Sequence, residues 1–422
     1  MRLRTSRPGG PALDFGPGQG SGVAKQMMVF PFTVPLDGSG RMLDAAQGVY
    51  ARSLARTLAE RLSEPPRLNA SLAQLTADGP LDGENGVHGH GWVVASQPWT
   101  LEEACHIGLP DGTEFVLHGS AELTDRVRIR ILLVDSPLKQ LALDHVVLRP
   151  RGELFSALDE AAREIARAVG EEPPEFSWPT RDVEAYVAYL RGRDMSAAHE
   201  MGVRVPDPRR SFDPYLEATR RDPRFTDAQE RLLALALDFA LGGQGPLPAG
   251  REACEKLLAI DPSAFKAHLA LAEIDLAQGD AKSAERRVSI ALALQPEWAP
   301  AFERMGTALS RQGRHGEAIA WFEKALAERK DDTDALQGLG VALAECGQLE
   351  SAVQRWRAAL ACGVNTSHLH ENLANALSLL GRKPQAREHR ALSRRLQGKP
   401  RFGLDLLREA WDWLSGGTRP GR

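Results

Sequence analysis

The chain has 422 residues, of which 43% are apolar and 26% charged, which is enough for two or three globular domains with cores of their own. The formal net charge is −4 and charges of both signs are mixed, so the composition gives no basic footprint of the kind that neutralises phosphates. No stretch approaches the ~18 consecutive apolar residues of a membrane span. Composition therefore argues against general nucleic-acid binding and against a membrane span.

The first 25 residues are predicted to be a disordered tail. They are rich in Gly and Pro and offer too little apolar surface to offset the entropy lost on ordering. Arg2, Arg4 and Arg7 are not followed by the apolar core of a signal peptide. We therefore expect a cytoplasmic protein.

Residues 26–170 are predicted to form a small α/β sandwich domain. The predicted elements, in chain order, are a strand at 26–32, a helix at 42–62, a strand at 92–95, a short helix at 101–107, strands at 114–117, 126–131 and 141–148, and a helix at 153–169. The strand at 126–131 is the clearest, because Arg and apolar residues alternate in it, so that one face packs and the other meets water.

Three features of this domain match a known module. An apolar strand ends in Pro31-Phe32, a long helix follows at 42–62, and a later strand runs into Gly119. In these features the domain resembles the amino-terminal domain of the TolB translocation protein and the FlgO-like domain, although His118 stands where those domains have a small residue. The resemblance implies a bacterial protein, because bacterial regulators and cyclases place such a domain before helical repeats.

The remainder of the chain is predicted to be helical. Residues 171–180 are predicted to be a linker, and residues 181–262 to form irregular helical hairpins. Beyond them Gly279, Gly313, Gly347 and Gly381 are each followed five positions later by an Ala, and the interval from one pair to the next is 34 residues. This period is typical of a solenoid of helical hairpins, because no single hairpin can bury its apolar face alone.

The small and bulky residues of these units resemble the tetratricopeptide repeat, which implies a right-handed superhelical solenoid over residues 263–400. Apolar residues at helical spacing predict a capping helix at 401–415 that covers the last exposed apolar face, followed by a flexible tail at 416–422. The predicted fold class is therefore α+β multidomain, with the small α/β sandwich followed by an all-α solenoid.

No constellation of residues indicates catalysis, a metal or a cofactor. His88 and His90 lack the third and fourth ligands that zinc normally requires. Cys105 and His106 are adjacent on a predicted helix, so their side chains point about 100° apart. The cysteines of the repeats are interpreted as core thiols. We therefore expect neither enzyme activity nor a bound metal or cofactor.

The resemblance also implies where a partner binds, because the first helix of each tetratricopeptide hairpin lines a concave groove. The matching positions are Lys266, Leu269, Glu273, Glu303, Thr307, Arg311, Asp334, Gln337, Val341, Glu345, Glu371 and Asn375. Acids outnumber bases among them, which favours a partner protein or peptide that carries Lys or Arg. An ordinary solvated helix face is the alternative interpretation.

Two functions fit this organisation, and an envelope-associated role, which the TolB resemblance suggests and the lack of an export signal argues against, is a third. The first is a non-enzymatic adaptor that binds a protein or peptide in the groove. The second is a regulatory or sensory protein whose α/β domain binds a small ligand and whose repeats relay the state. The pattern specifies neither the partner nor the oligomeric state.

Overall fold

The computed structural model describes residues 2–5, 24–33, 45–63, 68–76, 112–173, 177–200, 208–241 and 247–396. The chain divides into two compact units, Met1–Thr226 and Asp227–Arg422. Several predictions lie outside the described residues: the strand at 92–95, the helix at 101–107, His88 and His90, Cys105 and His106, the capping helix at 401–415 and the tail at 416–422.

A six-stranded mixed sheet organises the first unit. Its strands are β1 (Arg2–Thr5), β2 (Lys25–Val29), β3 (Leu68–Thr76), β4 (Phe115–Leu123), β5 (Arg126–Asp135) and β6 (Gln140–Pro150), in the spatial order β1-β3-β2-β4-β5-β6. β2 runs parallel to both β3 and β4, whereas the other neighbours are antiparallel. In β5 the apolar residues Val127, Ile129 and Ile131 are buried and Arg126 and Arg128 are exposed, as the alternation predicts.

Two helices cover one face of this sheet. Helix α1 (Ala45–Leu62) packs on β2, β3 and β4, and α2 (Leu154–Ala168) packs on β5 and β6. The two helices also contact each other, so they cover the same face. Their buried stripes include Leu54, Leu58 and Ile165, none of which is exposed to solvent. This is the helix-on-sheet arrangement expected of a small α/β sandwich.

The sheet differs from the predicted one in two places. β1 lies within the stretch predicted to be a disordered tail, and it pairs with β3 in antiparallel fashion. β3 itself falls in a stretch for which no strand was predicted. Its sequence, LNASLAQLT, has few β-branched residues and a weak alternation. Its place in the sheet comes instead from backbone pairing with β1 and β2.

The boundary between the units also differs from the predicted linker at 171–180. Helices α3 (Val183–Glu200) and α4 (Asp213–Arg221), which the sequence assigned to the irregular hairpins, belong to the first unit. The reason is the contact of α3 with α1. Arg52 of α1 and Asp194 of α3 form a buried bidentate ion pair with both distances at 2.8 Å. Ser53 adds a hydrogen bond to the Leu190 carbonyl.

The described part of the second unit consists of helices, which pair as hairpins from Phe265 onward. They are α5 (Thr226–Leu241), α6 (Leu247–Ile260), α7 (Phe265–Ala277), α8 (Ala281–Leu294), α9 (Ala299–Arg311), α10 (His315–Glu328), α11 (Thr333–Glu345), α12 (Leu349–Ala361), α13 (Ser367–Leu379) and α14 (Lys383–Leu396). From α7 onward each hairpin turns at a Gly with φ between +75° and +81°. An L-residue with a Cβ rarely adopts that conformation, so the recurring Gly fixes the turn.

The small residues of the repeat lie where helices cross. Ala284, Ala318, Ala352 and Ala386 are buried at the 34-residue interval. The Phe322 ring lies against Gly306 of its own hairpin and against Gly338 of the next one. One continuous apolar core therefore runs from α7 to α14. The predicted register of small and bulky residues is confirmed.

The interpretation of the cysteines holds for Cys254 alone among those described. Cys254 is buried, and burial raises the pKa of its thiol to about 12. Cys346 and Cys362 are exposed, which corrects their assignment as core thiols. Each stands at the C-cap of its helix, where the chain turns away from the core.

Candidate functional site: the inner face of the solenoid

The first helices of the hairpins form the inner side of the second unit. Helix α9 packs against α7 and α11, and α11 packs against α13, in addition to the second helix of each hairpin. No comparable packing joins successive second helices in the described part of the solenoid. The solvent-facing side chains of α7, α9, α11 and α13 therefore lie on one surface, which we call the inner face.

The structure places the twelve predicted contact residues at three depths. Arg311, Asp334, Glu345, Glu371 and Asn375 are exposed. Lys266, Glu273, Thr307, Gln337 and Val341 are half-buried. Leu269 and Glu303 are only 1% and 5% exposed, so they support the inner face from beneath. Leu269 packs in the apolar core, because its position on α7 points toward the crossing with neighbouring helices.

A charged cluster underlies the inner face between α7 and α9. The Arg304 guanidinium lies 2.7 Å from the Glu273 carboxylate and also pairs with Glu303. The Thr307 hydroxyl donates to Glu303 at 2.8 Å. Burial raises the pKa of Glu303 to about 7, and Arg304 opposes that rise. The cluster thus holds a buried carboxyl group whose protonation is favoured by burial and opposed by the charge of Arg304.

The two bases of the predicted set are engaged within the protein. The Lys266 ammonium lies 2.5 Å from the Glu230 carboxylate and 5.0 Å from the centre of the Trp298 ring. The Arg311 guanidinium donates to the Leu276 carbonyl at 2.6 Å. Neither base forms an ion pair with the exposed acids of the inner face, and Arg311 keeps its positive charge because a carbonyl is a neutral acceptor.

Three exposed acids give the inner face its charge. Asp334 and Glu345 lie at the two ends of α11, and Glu371 lies on α13. None of the three lies within ion-pair distance of a Lys or Arg that the structure describes, but burial raises the pKa of Asp334 and the nearby charges of Arg304 and Arg329 oppose that rise. A solvent-exposed surface with unneutralised carboxylates attracts cations and speeds the encounter with a basic partner.

A cavity that the sequence did not indicate lies between the second helices α8 and α10 and the start of the first helix α9. It has a volume of 420 Å³ and is lined by Leu292, Pro296, Phe302, Trp321, Lys324, Ala327 and Glu328. The Phe302 and Trp321 rings are 5.8 Å apart, and the Lys324 ammonium lies 4.2 Å from the centre of the Trp321 ring. The signal that could have revealed it is Trp321, a large aromatic beside the core position of Phe322.

The described residues hold neither a metal-ligand cluster nor a membrane-spanning helix. They contain no group of three or more His, Cys, Asp or Glu side chains placed to hold a metal ion. Among the same residues, no helix combines the length and apolarity that crossing a bilayer requires.

The stacked hairpins and their shared inner face define a helical-repeat solenoid. Residues 309–374 match the family model of the tetratricopeptide repeat, so the second unit carries tetratricopeptide repeats. A stretch of 91 residues, 22% of this chain, is 29% identical to the TPR repeat-containing thioredoxin TTL4 of Arabidopsis thaliana. The match spans 13% of that plant protein.

Solved structures with a similar arrangement include PilF of Pseudomonas aeruginosa, with 22% identity and a TM-score of 0.37 over 46% of this chain and 88% of that one. YrrB, described as a TPR protein with an unusual peptide-binding site, has 18% identity and a TM-score of 0.34 over 46% of this chain and 96% of its own. MamA has 18% identity and a TM-score of 0.32 over 36% of this chain and 88% of its own.

Proposed function

We propose that the protein is a non-enzymatic adaptor whose inner face binds a segment of a partner protein that carries Lys or Arg. The observation that supports this most directly is the exposure of Asp334, Glu345 and Glu371 on neighbouring first helices, without an ion pair to any described residue. Lys266 pairs with Glu230 and Arg311 donates to the Leu276 carbonyl, so neither base forms an ion pair with these acids.

The inner face also offers neutral polar groups for a bound backbone. The Asn375 side chain is exposed on α13, and Gln337 is half-buried on α11. A carboxamide both donates and accepts hydrogen bonds, so it can bind the peptide groups of an extended segment whatever the side chains of that segment are. The acids then select for Lys and Arg, and the amides hold the chain.

The proposal is tested on the full chain with a panel of fluorescent Lys- and Arg-containing peptides. The variant D334N/E345Q/E371Q removes three charges with little change in shape. At roughly 0.5 kcal/mol for each exposed pair, we expect binding to weaken about tenfold at low salt. The matched control is E255Q/E297Q/E323Q, which removes three exposed acids from outside the first helices.

The control variant should bind the peptides as the unaltered protein does. If D334N/E345Q/E371Q also binds them unchanged, the inner face is not the site. An affinity that does not fall between about 0.05 and 0.3 M salt would equally count against charge selection.

The first unit is proposed to be related to the TolB amino-terminal and FlgO-like domains, in a cytoplasmic, bacterial protein. In support, Phe30 and Phe32 around Pro31 are buried, and β2, which leads into them, lies parallel to β4. A Cβ at Gly119 would collide with the Arg130 carbonyl, which explains the Gly at the end of the β4 motif.

A ligand-binding role for the first unit is the alternative function. A thermal-shift screen of nucleotides and metabolites separates it from the adaptor role. A ligand at about 100 times its Kd should add about 2.7 kcal/mol to the free energy of unfolding. No shift with any ligand would leave the adaptor role as the one to pursue.

A further inference from the structure

Helix α14, the last helix that the structure describes, carries a line of cations on one face. Lys383, Arg387, Arg390 and Arg394 are all exposed. Their spacing of four, three and four residues places them one above another along a single side of the helix. These four residues are called the cationic stripe below. The helix contains one acid, Glu388.

The 34-residue register shows what the cationic stripe replaces. One hairpin earlier the same positions on α12 are apolar: Leu349, Val353, Trp356 and Leu360. Val353 and Trp356 are buried, and Leu349 and Leu360 pack against the core. Four positions that are apolar in the preceding hairpin are therefore cationic in the last described hairpin.

The register also shows what this face would otherwise contact. Arg390 occupies the position that Phe322 has on α10, and the Phe322 ring lies against Gly338 of the following hairpin. The cationic stripe therefore lies on the side of α14 where the first helix of a further hairpin would pack. A helix fits at this position, and the positive charge of the stripe favours a helix that carries carboxylates.

Solubility alone does not account for this pattern. The outer face of a terminal hairpin must be polar to avoid aggregation, but mixed charges satisfy that need. Residues 351–396 instead carry eight Lys and Arg and two acids. Residues 247–350 carry twelve Lys and Arg and seventeen acids, so the charge changes sign along the unit.

We propose that the cationic stripe binds an acidic α-helical segment of a partner protein, which takes the place of the first helix of a next hairpin. Carboxylates at the same four-three-four spacing on the partner would face the four cations. A long polyanion such as duplex DNA is less favoured, because residues 247–350 of the same unit carry seventeen acids and twelve Lys and Arg. This surface is separate from the inner face.

The experiment uses the full chain and three synthetic probes. The first is an Ala-based helical peptide with Glu at positions spaced four, three and four. The second has the same composition with the Glu residues distributed around the helix. The third is a DNA duplex of comparable charge. We expect the first peptide to bind about tenfold more tightly than the second at low salt.

Charge reversal tests the residues. R387E/R390E should abolish binding of the first peptide, whereas K282E/K330E, which reverses two exposed cations elsewhere in the unit, should preserve it. Circular dichroism checks that each variant is folded. If R387E/R390E is not folded, the neutral variant R387Q/R390Q is used in its place. That neutral variant should weaken binding in the same direction.

Three outcomes would overturn the proposal. Equal affinity for both peptides would mean a diffuse cationic surface without helix recognition. Tighter binding of the duplex than of the first peptide would identify a nucleic-acid surface. Binding detected only after residues 401–422 are deleted would mean that this segment of the chain itself occupies the stripe.

Discussion

At the scale of single residues, the helix crossings of the solenoid depend on Gly residues, which have no Cβ. Gly340 of α11 lies directly under the indole of Trp356, whose Nε1 donates to the Gln337 carbonyl at 3.2 Å. A Cβ at position 340 would overlap the indole. Because protein interiors are packed as tightly as organic crystals, the ring cannot move aside without disturbing its neighbours.

We therefore predict opposite effects for two Gly-to-Ala changes in neighbouring hairpins. Gly340→Ala should lower the free energy of unfolding by roughly 1–3 kcal/mol through overpacking. Gly316→Ala, on a helix position where a Cβ meets nothing within 4 Å, should raise it by up to about 1 kcal/mol. Urea denaturation measures both. Equal effects of the two changes would refute the assigned helix crossing.

A histidine pair joins the two helices of the last described hairpin. The Nδ1 atoms of His370 and His389 are 2.9 Å apart, and Nε2 of His370 is 2.9 Å from Oδ1 of Asn365. Since that oxygen only accepts, neutral His370 donates through Nε2 and accepts from His389 through Nδ1. Burial lowers the pKa of both residues. The charges of His370 and Arg357 lower that of His389 further, and Glu388 opposes the change.

This pair makes the last hairpin less stable in acid. Both pKa values are depressed in the folded state, so the stabilisation is complete above the ordinary His pKa of about 6.5 and is lost as the pH falls below it. We predict a lower Tm at about pH 5 than at pH 7.5, and a smaller pH dependence in His389→Asn, whose amide can replace the Nδ1 donor. Hydrogen exchange should locate the change in α13 and α14. An unaltered pH dependence in the variant would contradict this.

At the scale of elements, a buried carboxylate ties three helices at the start of the solenoid. Asp275 of α7 is 2% exposed and pairs with Arg251 of α6 and, at 2.8 Å, with Arg287 of α8. The partners come from both sides of α7, so the ion pairs fix how the first hairpins stack. Removing one partner from a buried pair leaves the other charges poorly solvated.

The corresponding prediction concerns Asp275→Ala. We expect a loss of about 3 kcal/mol in the free energy of unfolding, near the lower end for a broken buried ion pair because both arginines are partly exposed. The control is Asp331→Ala at an exposed position, which should change stability by less than about 0.5 kcal/mol. Similar losses for the two variants would show that the ion pairs do not stabilise the hairpins.

At the scale of the whole molecule, the position of the boundary between the units decides which fragments fold. Helix α3 covers part of α1 through the Arg52–Asp194 pair and the buried side chains Tyr186 and Leu190. Ending the chain at residue 180 would remove that cover and expose the apolar residues beneath it. Ending it after Thr226 keeps the first unit intact.

We predict that the fragment 1–226 unfolds cooperatively with its own Tm and that the fragment 1–180 melts at a lower temperature or aggregates. Differential scanning calorimetry and light scattering measure both properties. Arg52→Met/Asp194→Leu in fragment 1–226 serves as a control, because an apolar replacement of both partners preserves the packing of α3. Equal Tm values for the fragments 1–180 and 1–226 would place the boundary at the predicted linker instead.

The sequence by itself determined the elements whose signals are local. The Gly turns, the buried Ala positions and the alternation in β5 each depend on the conformational or burial preference of one residue at a fixed period, which any reader of the sequence can find. Ten of the twelve predicted contact residues are at least partly exposed, whereas Leu269 and Glu303 are buried, and their binding role stays a prediction.

Only the tertiary structure decided which elements belong together and which charges remain available. β3 is a strand because its neighbours supply hydrogen bonds, and α3 belongs to the first unit because Asp194 meets Arg52. Likewise Glu303 and Arg304 are both charged in the sequence, but burial beside each other removes them from the surface. Pairing and burial depend on residues far apart in the chain, whereas the sequence pattern reports only on neighbours.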